Sequence, residues 1–148
     1  MKFDRNLRIV TIILAIIGLA DSIYLTAIKI TNTAAYCLPG LGDCETVNTS
    51  RFSEIYGVPI ALLGAFAYAM ILLIQYLENK HAFFTANGSL LLFGISLVGV
   101  LYSAYLTYVE IAVIHAICPY CVISAVVLLG IFVISTIRLF RNQGSQNS

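Results

Sequence analysis

The chain has 148 residues, of which 60% are hydrophobic and 10% are charged, and its net charge is +1. Soluble domains are about 45–50% apolar and about 25% charged, so this composition excludes a soluble globular protein and favours one embedded in a lipid bilayer. The sequence also shows no pattern typical of a nucleotide, phosphate or nucleic-acid binding site.

Four apolar segments approach the length of about 20 residues that a helix needs to cross hydrocarbon. They lie at about residues 9–30, 58–77, 89–109 and 119–137. Because lipid offers no partners to backbone N–H and C=O groups, each segment must be helical. The sequence predicts an all-α integral membrane protein in which residues 1–148 form a single four-transmembrane-helix domain, with an exterior loop and a short interfacial helix between the first two helices.

The first segment follows a basic N-terminus, as a signal peptide would. Its apolar run is too long for a signal sequence, and no small-x-small cleavage pattern closes it. We therefore expect it to remain as the first helix of the mature protein.

Basic residues predict the orientation. Two of them, Lys29 and Arg51, fall on one side of the bundle, and six fall on the other: Lys2, Arg5, Arg8, Lys80, Arg138 and Arg141. Basic residues favour the cytoplasmic side, so both termini should be cytoplasmic in the cell inner membrane. The loop at 31–57 and all four cysteines would then face the periplasm or exterior, where disulfides persist.

The loop at 31–57 carries one cysteine pair, Cys37 and Cys44, separated by a segment with one proline and two glycines. Such a turn can close a disulfide and can also move. A mobile redox pair and a permanent structural disulfide are both compatible with it. Further along, residues 51–55 should form the interfacial helix and residues 56–59 a tight turn into the second membrane helix.

An internal repeat relates the first and third helices. A shift of 81 residues aligns Gly18, Ser22, Tyr24, Leu25, Thr26, Ile30 and Cys37 with Gly99, Ser103, Tyr105, Leu106, Thr107, Ile111 and Cys118. Chance similarity between apolar segments is the alternative explanation. A parallel repeat would bring one cysteine from each half to the same outer rim.

The strongest chemical motif is Cys118-Pro119-Tyr120-Cys121, at the start of the last helix. Two intervening residues place the sulfurs close enough for a reversible disulfide, and proline suits the first helical position. The helix N-terminus stabilises a thiolate, whereas burial opposes it. We interpret the motif as redox-active, with a static disulfide or half of a metal site as alternatives.

Reduction of an acceptor by this motif would require protons, and two titratable residues are candidates to supply them. His115 lies one turn before Cys118, but turns at membrane edges often carry histidine, which favours an interfacial residue without a catalytic role. Asp21, inside the first helix, should face the bundle and hydrogen-bond Tyr105 or Ser22, or act near the site.

Lys29 and Glu110 occupy equivalent positions of the repeat, with opposite charges, at the outer edge of the membrane. Either an ion pair between them or independent snorkelling of each side chain explains these charges. Tyr24, Tyr105 and Tyr108 either line a cleft or form an interfacial belt.

The cysteine order, the motifs Asn48-Thr49-Ser50 and Tyr56-Gly57-Val58-Pro59, and the segment Ser103-Ala104-Tyr105-Leu106-Thr107-Tyr108 before Cys118 together resemble the bacterial branch of the vitamin K epoxide reductase family. The resemblance covers nearly the whole chain. It implies a membrane thiol:quinone oxidoreductase that drives disulfide formation in exported proteins.

By that resemblance, Cys37 and Cys44 take electrons from a reduced thioredoxin-fold partner, Cys44 exchanges with Cys118, and Cys121 delivers the electrons to a quinone of the ubiquinone or menaquinone type. Ser50 matches a family serine that shapes the quinone pocket. Ser53 matches the pocket asparagine of the vertebrate enzymes, and Ala125 stands where those enzymes carry a tyrosine that binds the vitamin.

Ser53 and Ala125 thus differ from the asparagine and the tyrosine of the vertebrate enzymes. These differences do not support vitamin K epoxide chemistry and favour reduction of an ordinary respiratory quinone. Some bacterial relatives also carry a fused thioredoxin-like domain, whereas this sequence stops in a polar tail after Arg141, so we expect a separate partner protein.

Three other functions are considered. Disulfide bond formation protein B has similar chemistry, but its CxxC pair precedes the wider pair, the reverse of the order here. A membrane carrier or sensor for soft metal ions would use the four cysteines as a four-sulfur site. A scaffold with two inert disulfides would show no change in thiol accessibility when quinone is withheld.

Overall fold

The computed structural model describes residues 2–33, 40 and 42–147, and for residues 44, 45 and 48 the backbone alone. Five α-helices occur in this part of the chain: α1 (Lys2–Thr31), α2 (Cys44–Thr49), α3 (Ile60–Leu77), α4 (Ala82–Val109) and α5 (Pro119–Gln146). A 3₁₀ turn spans Arg51–Ser53, and a π-helical turn, Glu110–Ile114, extends α4. Two short strands are β1 (Glu54–Ile55) and β2 (Val58–Pro59).

Four of these helices are long and apolar enough to cross a membrane, which confirms the predicted membrane bundle. α1 packs against α3 and α5, and α4 packs against α5 and, less extensively, α3. The central core contains Ala15, Tyr68, Ile71, Ile74, Leu92, Val127, Leu128 and Ile131. Large aliphatic and aromatic side chains remain exposed along all four helices, as expected for surfaces that face lipid tails.

Three membrane helices extend beyond their predicted limits. α1 begins at Lys2 rather than near residue 9, α4 begins at Ala82 rather than near 89, and α5 continues to Gln146 rather than ending near 137. The apolar pattern marks only the lipid-crossing part of a helix, and polar residues continue the helix into water. Contacts between helix ends support these extensions, since Arg141 pairs with Asp4 at 3.2 Å.

Hydroxyl groups inside the helices are satisfied locally. Thr26 Oγ1 donates to the carbonyl of Ser22 at 2.8 Å, and Thr107 Oγ1 donates to the carbonyl of Ser103 at the same distance. These two bonds occupy equivalent positions of the 81-residue repeat. Thr11 and Thr136, which are not among the aligned repeat residues, make the same bond to the carbonyl four residues earlier, so the bond is a general property of hydroxyl side chains in these helices and the repeat stays a prediction.

The predicted interfacial helix at 51–55 is only partly correct. Arg51–Ser53 forms a 3₁₀ turn, but Glu54 and Ile55 are extended and pair antiparallel with Pro59 and Val58. The cause is the two-residue turn between the strands, where Tyr56 has φ 51° and Gly57 has φ 79°. Positive φ at both turn positions favours a hairpin.

Candidate active site

Cys118 and Cys121 lie at the start of α5. Cys118 is the N-cap residue with extended backbone (φ −96°, ψ 116°), and Pro119 takes the first helical position, as predicted. Both cysteines are free thiols, and Cys118 is only 1% exposed. The local sequence thus presents two sulfurs at a helix N-terminus inside the protein.

Hydrogen bonds distinguish the two thiols. The Cys121 thiol donates to Cys118 Sγ, and the backbone N–H groups of Tyr120 and Cys121 also point at that sulfur. Together these bonds lower the pKa of Cys118 below its usual value, although burial and the nearby Glu110 carboxylate oppose the shift. Cys118 is therefore the sulfur of the pair that is best suited to exist as a thiolate and to exchange with another cysteine.

A tight turn connects α4 to this pair. His115 adopts a left-handed conformation with φ 57°, and its backbone N–H donates to the carbonyl of Glu110. Ala116 N–H donates to the same carbonyl at 3.1 Å. Single π-helical turns occur frequently at functional sites, and here the turn ends a helix directly before the cysteine motif.

The Glu110 side chain lies beside both cysteines. It is only 4% exposed, its Oε2 accepts the backbone N–H of Cys118 at 3.4 Å, and its carboxylate accepts a hydrogen bond from the Cys121 thiol. An ion pair between Glu110 and Lys29 does not form: Lys29 pairs with Glu54 at 3.2 Å and also bonds Ser53 Oγ. The sequence interpretation missed this glutamate because it treated residue 110 as a membrane-edge charge.

The exterior loop docks on the same turn. Asp43 N–H donates to the carbonyl of Ile117 at 3.1 Å, and a Cβ atom on Gly42 would lie 2.2 Å from that oxygen. Gly42 also has φ 132°, which favours glycine. The bare backbone at Gly42 is thus needed for the loop to approach the residue that precedes Cys118.

Helix α2 begins immediately after this contact, at Cys44. The Asp43 side chain caps it by accepting the backbone N–H of Thr46 at 3.0 Å, and Val47 packs on Cys118 in a small apolar cluster. The backbone of Cys44 therefore lies beside the turn that carries Cys118. Cys37, the other predicted catalytic cysteine of the loop, lies outside the described residues.

A cavity of about 700 Å³ opens beside the cysteines, between the membrane helices and the exterior loop. Cys118, Cys121 and Glu110 line one part of it. Leu63 and Phe66 from α3 and Val98 from α4 also line it, and they are 46%, 67% and 68% exposed. The cavity therefore reaches the lipid-facing surface between α3 and α4, and its volume is in the usual range for small-molecule sites.

Comparison with known proteins assigns the chain to a family. The family model described as "Vitamin K epoxide reductase family" matches residues 9–136. The chain belongs to the vitamin K epoxide reductase family. Thiol-disulfide oxidoreductase LTO1 of Arabidopsis thaliana is 32% identical over 120 residues, which cover 78% of this chain and 32% of that protein. The chain therefore spans about a third of the length of this relative.

Membership of the vitamin K epoxide reductase family and the name of this relative support a thiol-based redox function in a multi-pass membrane protein. The described cysteines fit that chemistry. No group of three or more described His, Cys, Asp or Glu side chains is arranged as a metal site.

The pocket residues expected from the family resemblance are placed as follows. Ser50 and Ser53 line the cavity. The Ser50 hydroxyl donates to the Val47 carbonyl at 2.8 Å, and a hydroxyl oxygen that donates its hydrogen can still accept a hydrogen bond. Ala125 is half-buried and is absent from the described cavity wall, to which its neighbour Ser124 contributes instead.

The two candidate proton donors differ in position. His115 is exposed in a shallow groove with Gly42 and Asp43, outside the main cavity. Asp21 lines the cavity, and its Oδ2 is buried without a hydrogen-bond partner. The expected bond to Tyr105 or Ser22 is therefore not made by that oxygen, so Asp21 is the better placed of the two to contact a bound ligand.

The outer tyrosines behave mostly as an interfacial belt. Tyr105 and Tyr108 are 50% and 66% exposed, and Tyr24 packs against Tyr120 with ring centroids 5.2 Å apart and ring planes tilted by 47°. The cavity is lined instead by Tyr102 and Tyr68, neither of which the sequence interpretation selected.

Proposed function

We propose that this protein is a membrane thiol:quinone oxidoreductase that supplies disulfides to exported proteins. The observation that carries the proposal is the cavity that both Cys118 and Cys121 line and that reaches the lipid-facing surface between α3 and α4. A quinone dissolved in the membrane could enter there and reach a thiol without crossing water. The thiol-disulfide relative supports the thiol half of this reaction.

The electrons would start on a reduced thioredoxin-fold protein in the exterior compartment. Cys37 and Cys44 would accept them first, and Cys44 would then exchange with Cys118. The docking of α2 on the cysteine turn supports this second step, because the backbone of Cys44 follows directly after the Asp43–Ile117 hydrogen bond. The lowered pKa of Cys118 favours it as the exchanging sulfur of the inner pair.

Cys121 would deliver the two electrons to the quinone, which acts here as a substrate of the ubiquinone or menaquinone type. Ser50 and Ser53 offer hydroxyl oxygens on the loop side of the cavity, where they would contact the ring. We place Ala125 near rather than on the binding surface. An apolar cavity with a few polar atoms suits a quinone ring with two carbonyl groups.

The proposal also includes an orientation. In the cell inner (cytoplasmic) membrane, both termini would lie in the cytoplasm and the cysteines would face the periplasm or exterior, an orientation that the distribution of basic residues supports. Labelling of Cys44 from outside by a membrane-impermeant maleimide tests it. Labelling from the cytoplasmic side alone would overturn the orientation.

The function is tested with purified protein in lipid nanodiscs, a reduced thioredoxin-fold donor and a soluble quinone, by following quinol formation. Cys121→Ser should abolish turnover, whereas quinol formation at the normal rate in that variant would contradict the proposal. Cys37→Ser should block oxidation of the protein donor while dithiothreitol still reduces the inner pair. Asp4→Asn, which changes an exposed pair at the other end of the bundle, serves as the control.

A further inference from the structure

One titratable group beside the inner cysteines has no role in the scheme above. Glu110 is 4% exposed, and within the described part of the chain it forms no ion pair with a lysine or arginine. A buried acid without a cation is costly, so its neighbours must stabilise it. Those neighbours are the Cys118 N–H, at 3.4 Å from Oε2, and the Cys121 thiol.

The hydrogen of the Cys121 thiol has two acceptors within reach. One is Cys118 Sγ, and the other is the Glu110 carboxylate. An oxygen acceptor in contact with an S–H group is the geometry that general-base catalysis requires. Glu110 also lines the cavity, so a proton placed on it can pass to a molecule bound there.

We propose that Glu110 is the general base of the inner cysteine pair, accepting the Cys121 proton during oxidation and passing it to the bound quinone. This inference rests on the proposed function. In the reaction, two thiols become one disulfide while two electrons and two protons reduce one quinone to quinol. Glu110 carries the proton of Cys121 to the quinone. Cys118 releases its proton to water when it ionises, and the quinone takes its second proton from water, so two protons are released and two are consumed.

Other ionisable groups near the cavity are less well placed for this role. Asp21 on α1 and Tyr102 on α4 line the cavity, yet neither hydrogen-bonds a described cysteine. His115 is exposed outside it, and Lys29 pairs with Glu54. The position of Glu110 is also fixed, because its carbonyl accepts two N–H groups of the following turn.

The main test compares Glu110→Gln with wild type in single-turnover oxidation of the reduced inner pair by a soluble quinone. Glutamine keeps an oxygen that can accept the Cys118 N–H but cannot take a proton. We expect oxidation to slow by about 100-fold near neutral pH, the usual size of a general-base effect. The deficit should narrow as pH rises, because hydroxide then deprotonates Cys121 directly.

A deficit that stays constant with pH, or an unchanged rate, would overturn the role of Glu110. Glu110→Asp keeps a carboxylate and should retain the wild-type pH profile at a reduced rate, so it substitutes if Glu110→Gln does not fold. An Asp variant as slow as the Gln variant at every pH would also refute the proposal. Asp4→Asn is the matched control for loss of a carboxylate.

A second measurement uses no quinone. Infrared difference spectra of wild type, reduced minus oxidised by a dithiol, should show a carboxyl band change and a low-frequency S–H band, both lost in Glu110→Gln. Identical spectra in the two proteins would contradict the hydrogen bond. Failure of wild type to reduce quinone, with these bands present, would instead refute the proposed function and leave the Glu110–Cys121 contact intact.

Discussion

Two buried glutamates at opposite ends of the bundle are stabilised in different ways. Glu78 follows α3 at the end that carries the chain termini, and it pairs with Arg138 at 3.1 Å and Arg8 at 3.8 Å. Glu110, at the cysteine end, contacts an N–H group and a thiol and no described cation. The first arrangement fixes a charge in place, whereas the second leaves a carboxylate free to exchange a proton.

The surroundings of each glutamate reinforce the contrast. Gly88 lies so close to Glu78 that a Cβ there would approach Oε1 to 2.3 Å, which leaves no space for a ligand. Glu110 instead borders a cavity of about 700 Å³. We infer that one end of the bundle is specialised for stability and the other for chemistry.

Glu78→Ala should destabilise the protein by about 3–5 kcal/mol, because two arginines would lose their buried partner. Turnover per folded molecule should stay close to that of wild type. Thermal unfolding in detergent micelles measures the first effect and quinol formation the second. Asp4→Asn removes an exposed ion pair and should cost at most about 1 kcal/mol. If Glu78→Ala kept wild-type stability but lost activity, Glu78 would serve the chemistry rather than the stability of the bundle.

Gly42→Ala should slow exchange between Cys44 and Cys118 by about 100-fold, since small displacements of reacting groups have effects of this size. The new methyl group would collide with the Ile117 carbonyl. In a Cys37→Ser variant whose Cys118–Cys121 pair is oxidised, Cys44 attacks Cys118 and releases the Cys121 thiol, and the rate at which the Cys44–Cys118 disulfide accumulates measures the exchange.

Gly40→Ala is the matched control for that experiment. Gly40 also has positive φ, 90°, but a Cβ atom there meets nothing within 4 Å. Both variants strain the backbone, and only Gly42→Ala blocks the contact with the cysteine turn. Equal losses in the two variants would show that loop strain, rather than docking, controls the exchange.

Cys121→Ala should raise the pKa of Cys118, because it removes the hydrogen bond that contributes most to the lowered value. A lowered pKa keeps the thiolate present as pH falls, so its loss should reduce the thiolate fraction several-fold near neutral pH. Ultraviolet titration of the thiolate in a Cys37→Ser, Cys44→Ser background measures this change. An unaltered titration curve would mean that the helix N-terminus alone activates Cys118.

Asp43→Ala should have the smallest effect, a few-fold slower exchange between Cys44 and Cys118. The Asp43 carboxylate caps α2, and its hydrogen bonds with Thr46 lower its pKa. Its contribution is therefore complete above the ordinary carboxyl range and is lost as pH falls through the lowered pKa. Exchange should fall with pH in both proteins because the thiolate is lost. Wild type also loses its cap in that acidic window, so the ratio of the wild-type rate to the Asp43→Ala rate should fall towards one there. Asp43→Asn, which can still cap, should behave like wild type near neutral pH.

The predictable part of the structure comes from local rules. Apolar length gave four membrane helices, and proline after Cys118 marked the start of α5. The position of Ser50 and Ser53 on the cavity wall also agrees with the sequence expectation, although their role stays a prediction. The helix ends were missed because polar residues continue a helix beyond the membrane without any apolar signal.

Features that depend on contacts between distant residues were not predictable. Asp43 N–H donates to the Ile117 carbonyl, and Gly42 lies against the same carbonyl. The Tyr68 ring lies so close to Gly18 that a Cβ atom added there would be 2.3 Å from it. No periodicity along the chain encodes these approaches. Glu110 was misjudged for the same reason, since eight residues separate it from Cys118 in sequence while its carboxylate contacts the N–H of that residue.

Four membrane helices and two cysteine pairs could be predicted from the sequence, because hydrophobic length and cysteine spacing are local quantities. The tertiary structure alone decided which acid faces the thiols and which is neutralised by arginines. It also decided where the cavity opens. Burial and charge pairing depend on how helices pack around one another, and the same glutamate side chain takes either role according to its neighbours.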